Sequence, residues 1–151
     1  MRKKCKRKVW KLVNPITHAI EGCAILTDKD LIELRIRELN AIDSMVNGTG
    51  TVDDWDSLNG MNNLAETMSR AGIGVEVLEV CQKAQEELVK SAKRFEAIGR
   101  MGLTGEGIQI MRELFQYHDL QRRSVTRSDY ERFIQKSINI VRGKGKNVQE
   151  I

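Results

Sequence analysis

Proline is almost missing from this chain, with Pro15 the only one. Helices can therefore run long without being broken. Cysteine is scarce as well: Cys5, Cys23 and Cys81 lie far apart, odd in number and with no CxxC pair. That spacing argues against a disulfide framework and a zinc site, and it fits a reducing compartment. No apolar run approaches the roughly 20 residues needed to cross a bilayer. The basic start is not followed by an apolar segment of about 7 to 15 residues, so no secretory signal is expected. These absences point away from a membrane protein and toward a cytoplasmic one. Histidine is limited to His18 and His118, which restricts metal chemistry to very few ligand sets.

Charge is abundant and unevenly placed. Residues 1–11 hold seven Lys or Arg and no acid, residues 12–120 hold 10 basic and 18 acidic groups, and residues 121–151 hold eight basic and three acidic. The chain is thus +7, −8 and +5 along its length. Basic ends around an acidic middle suggest contact with a polyanion through the termini, although a charge run also serves simply as a solvated tail.

Apolar residues at spacings of three and four dominate, so the expected fold is all-α, a compact bundle of about five to six helices with a basic N-terminal tail. The expected organisation is a tail at 1–11, one helical domain at 12–142 and a flexible tail at 143–151. Asn14 before Pro15 suits the start of a short helix reaching Gly22. Thr27 with Asp30 and Thr51 with Asp54 look like capping boxes in which Asp replaces Glu. The first opens a helix burying Leu31, Leu34 or the Arg35 stem, Leu39, Ile42 and Met45, and stopping at Gly48. The second opens one with Trp55, Leu58, Met61, Leu64, Ala65 and Met68 inward, and stopping at Gly72. A long helix is expected over Val75 to Ile98, with Val77 or Leu78, Cys81, Ala84, Leu88, Ala92 and Phe95 inward. Its Glu79, Glu86, Glu87, Lys90 and Lys93 should face water, with Glu86 and Lys90 paired. A fifth helix carries Ile108, Met111, Leu114, Phe115 and His118. A last one follows Thr126 and Asp129, carries Tyr130, Phe133, Ile134, Ile138 and Val141, and ends at Gly143. No heptad is sustained over several turns, and homo-oligomerisation is left open.

Four features invite a functional reading. In YHDLQRRSVTRSDYER, residues 117–132, the His118-Asp119 pair invites comparison with helical metal-dependent phosphohydrolases. His18 and Asp129 do not complete their ligand set, so the structural reading, in which His118 packs beside Phe115 and bonds a backbone or carboxylate partner, is preferred and no metal is expected. Adjacent helical residues point about 100° apart, so one of the pair should face solvent. Arg122 and Arg123 suit the negative end of a helix, whereas Arg127, Arg132 and Lys136 have no such motive. The expected nucleic-acid or partner-binding set is Lys3, Lys4, Arg7, Lys8, Arg123, Arg127, Arg132 and Lys136. In GRMGLTGEG, residues 99–107, backbone N–H groups at a helix start together with Arg100, Thr104 and Gly105 would suit an anion. The stretch lacks a P-loop's GK[ST], and a helix stop, turn and cap would explain it equally. Cys5 lies among basic residues that would make an exposed thiol reactive, while Cys23 and Cys81 suit small core positions. Trp10, with Val9, Leu12 and Val13, suits a segment that pins the tail to the core, with base stacking the functional alternative.

RKVWKLVNPITHAI at 7–20, LRIREL at 34–39, GRMGLTG at 99–105, YHDLQR and SDYER together resemble small helical proteins of bacterial prophages and other mobile elements. The resemblance implies an accessory role and brings no catalytic residues or cofactor. The sequence thus suggests a non-enzymatic phage-type protein that engages host nucleic acid or a nucleoprotein complex through basic termini, inhibiting a host defence system. The alternative is a protein that sequesters a small anionic nucleotide at Gly99 to Gly107.

Overall fold

The computed structural model describes residues 25–143, where five α-helices follow one another: α1 (Asp28–Val46), α2 (Val52–Arg70), α3 (Val77–Ile98), α4 (Gly105–Arg123) and α5 (Arg127–Arg142). Among these residues the only extended pairings are isolated bridges of Ile25 with Thr126 and Gly50 with Met101. The fold of this part is therefore all-α. The short helix expected between Asn14 and Gly22, the basic tail, Cys5, Trp10 and Cys23 lie outside the described residues.

Threonine starts four of the helices. The Thr51 hydroxyl accepts from the Asp54 N–H at 3.2 Å while the Asp54 carboxylate accepts from the Thr51 N–H at 2.9 Å. Thr27 donates its backbone N–H to the Asp30 carboxylate at 3.0 Å. Aspartate thus serves where glutamate is usual, satisfying amides that the first helical turn leaves without partners. Thr104 and Thr126 accept from Gly107 and Asp129. Gly99 ends α3 in the left-handed region at φ 70°, where a side chain would be strained.

Helix α2 is central and packs against each of the other four. The larger core joins α1 to α4 through residues such as Ile42, Leu58, Cys81, Leu88, Met111 and Leu114. A smaller one, Leu26, Leu31, Met68, Val125 and Tyr130, lies under the start of α5. Trp55 is partly buried against the larger core and donates its indole N–H to the Leu88 carbonyl at 2.9 Å. No described helix is long and apolar enough to cross a membrane.

Several side chains take the opposite environment to the one periodicity suggests. Leu39 is exposed and Glu38 is buried in its place. Glu87 is buried and bonds Lys90, displacing the expected Glu86 pair. Phe95, Ile138 and Val141 are exposed, and the last two line an open cavity between α5 and α2 rather than filling a core. His118 and Asp119 are both buried, since α1 covers the flank of α4 that would otherwise meet water. Helix α3 begins at Val77 rather than Val75.

Candidate functional site

The corner between α4 and α5, where the arginines concentrate, is built around a buried charge. Arg122 lies on the core stripe of α4, four residues after His118 and seven after Phe115, and its side chain is fully buried. A guanidinium taken out of water needs carboxylate partners to be tolerated there. Glu38 of α1 supplies two oxygens at 2.5 and 3.0 Å, and Asp119 supplies one at 3.2 Å. The Arg122 carbon also sits 5.8 Å from the Phe115 ring centre, within cation–π range. Burial works against the charge on Arg122, but Glu38, together with Tyr130 and Asp119, outweighs it and the pKa is held above its ordinary value. Burial pushes the Glu38 carboxyl up against the pull of Arg122, and it pushes the Tyr130 phenol up as well.

Asp119 extends the network outward. It accepts from Arg123 at 3.2 Å and pairs with Arg35 at 3.2 Å. Arg123 further pairs with Asp28, and Arg127 with Asp30, each at 2.6 Å. Arg132 pairs with Asp129. Among the expected binding residues, Arg123, Arg127 and Arg132 thus each face a carboxylate of this chain. Lys136 is exposed on α5 beside Arg70, where the two line a cavity of about 530 Å³ with Leu78 and Ile140. Lys3, Lys4, Arg7 and Lys8 lie outside the described residues.

His118 serves the packing of the same corner. Gln121 donates its amide N–H to the Ile73 carbonyl at 2.8 Å and to the Ser69 hydroxyl at 3.0 Å. Its oxygen must then accept, so Nδ1 of His118 carries the proton it donates to that oxygen at 2.8 Å. Burial, aided by the Arg122 charge, lowers the His118 pKa to about 3, so the ring is neutral at physiological pH. Among the described residues no group of three or more His, Cys, Asp or Glu is placed to hold a metal ion. The Cys81 thiol is buried and pushed up to about 12, which leaves it protonated.

The Gly99 to Gly107 segment divides the expected anion set. Thr104 uses its hydroxyl twice, accepting from the Gly107 N–H at 3.0 Å and donating to Glu87 at 2.9 Å. The Glu87 carboxylate lies so close to this helix start that a Cβ on Gly107 would stand 2.7 Å from its oxygen. The bond from Lys90 and that from Thr104 hold Glu87 below the usual carboxylate range. The chain therefore brings its own anion to the positive end of α4. Arg100 turns elsewhere, lining with Arg94 a cleft of about 270 Å³ beside Asn47 and Gly48. Gly105 is the exposed first residue of α4.

Sequence reasoning missed Glu38, Gln121 and the burial of Arg122. Glu38 falls three and four residues from Ala41 and Ile42, on the apolar face of α1, and a charged residue in such a position is the available sign of a buried ion pair. Comparison with protein-family models, curated proteins and solved structures found no match to this chain.

Proposed function

We propose that this protein is a non-enzymatic phage-type accessory protein that binds nucleic acid or a host nucleoprotein complex through its basic ends, inhibiting a defence system in the bacterial cytoplasm. The distribution of charge carries the reading: +7 over residues 1–11 and +5 over 121–151, against −8 between them. Such ends attract a phosphate backbone by releasing its condensed counterions, a term that requires no base-specific motif. Arg132, Lys136 and Arg142 add an exposed basic side to α5. Arg123 and Arg127 have donors to spare beyond their Asp28 and Asp30 contacts, because a guanidinium carries five N–H groups.

The test is fluorescence anisotropy of the full chain with labelled duplex and single-stranded DNA and RNA across a salt series. The logarithm of affinity should fall linearly with the logarithm of salt, by about 0.9 per phosphate neutralised on duplex DNA. Binding that ignores salt, or no binding either to these probes or to a nucleoprotein fraction from the host, overturns the proposal. A nuclease-treated pull-down run in parallel separates a nucleic-acid target from a protein one.

A further inference from the structure

Helix α1 has two apolar faces, and among the described residues the fold uses only one. Leu31, Ala41, Ile42 and Met45 face the core, while Ile32, Ile36, Leu39 and Val46 are 54, 51, 43 and 37 % exposed. These four side chains, with the exposed Lys29 and Asp43, recur along the helix at intervals of three, four, three, four and three residues. That alternation defines the a and d positions of a coiled-coil seam, with Ile32, Leu39 and Val46 at d and Lys29, Ile36 and Asp43 at a. The seam is confined to one helix, so the heptad does not continue beyond it. A continuous row of large exposed aliphatic side chains on a rigid helix marks an interaction surface rather than scattered surface apolarity.

We infer that α1 is a self-association surface on which a second copy of this chain packs its own α1 antiparallel. The charges at the a positions decide both partner and direction. In a parallel pair Lys29 would face Lys29 and Asp43 would face Asp43 at the seam, a repulsion at each end. In the antiparallel pair Lys29 of each copy comes within about one helical turn of Asp43 of the other, giving two equivalent attractions around Ile36 at the centre. Among the described residues neither Lys29 nor Asp43 has an ion-pair partner within its own fold, whereas Asp28 and Asp30 on the same helix do. The surface is thus complementary to itself under two-fold symmetry. One helix pair is a small interface, so the dimer belongs to the transient class and depends on concentration.

The experiment is sedimentation equilibrium of the full chain from about 1 µM to about 1 mM, the span over which weak interfaces populate. The expected result is a mass rising from one chain toward two. Ile36→Lys should remain at monomer mass throughout, with an unchanged circular dichroism spectrum because the position is exposed. Lys29→Asp and Asp43→Lys should each weaken the dimer about tenfold or more, and the double variant should restore it, since the reversed pair attracts again. Monomer mass across the whole range overturns the inference, including the case in which hydrogen exchange shows the seam covered by residues 1–24 of the same chain. A dimer indifferent to Ile36→Lys, or one that the charge reversals leave unchanged, overturns it as well.

Discussion

Between about pH 6.5 and pH 3 the unfolded chain binds a proton at His118 that the folded chain refuses, because the buried ring is held at about 3. In that window stability rises with pH; the contribution is fully present above 6.5 and lost as pH falls toward 3. This ring alone removes about 1.4 kcal/mol per pH unit, so unfolding free energies from urea titrations should fall with acid along a steep slope for the natural chain. His118→Gln, which has no proton to gain there, should show a shallower one. Arg122 leads to a different expectation. Arg122→Met strands Glu38 in the interior, while Asp119 keeps Arg35 and Arg123, and should cost about 3 to 5 kcal/mol in urea denaturation. Glu38→Gln should also destabilise, but the double variant should lose well under the sum, because neither charge is then left unmatched. Of these residues only His118 was legible as structural in the sequence, since the missing ligands argued against metal. The role of Arg122 was hidden because a helix end offered it a sufficient local motive, while its main partner is 84 residues away.

At the scale of single helices, the threonine caps show how much a local pattern conveys. Thr27, Thr51 and Thr126 are each followed three residues later by an aspartate, and each starts a helix where that pattern indicates. Thr104 lacks the aspartate and caps α4 all the same, with Glu87 reaching in from α3 instead. Loss of a threonine cap costs about 1 kcal/mol. Thr104→Ala should cost about 1 kcal/mol more than Thr51→Ala, because it also leaves the buried Glu87 short of a donor. Guanidinium unfolding of the two variants side by side measures the difference. The faces of α1 and α3 were legible only to within one position. Periodicity favours Leu39 over Glu38 and water over Glu87, and what reverses both choices is a partner from elsewhere in the chain, Arg122 in one case and the capping Thr104 in the other.

For the molecule as a whole, helix order follows from short connections between capped apolar segments, while the central place of α2 emerges only from the packing. The balance of charge in three dimensions does not. The α4–α5 corner reads as strongly basic along the chain, yet Asp28 and Asp30 from α1 fold back onto it and offset much of its field. Reversing Lys3, Lys4, Arg7 and Lys8 to Glu should therefore weaken the proposed nucleic-acid binding more than reversing Arg123, Arg127, Arg132 and Lys136, as read by anisotropy at fixed salt. The same long-range pairing bears on how the protein is made. Glu38 is synthesised 84 residues before Arg122, an interval on the order of 4 to 17 seconds at ordinary translation rates. Until Arg122 arrives, closing the α1 face would bury a carboxylate without its cation. The emerging N-terminal half should therefore be slow to settle, with the final docking of α1 expected only once α4 has been made.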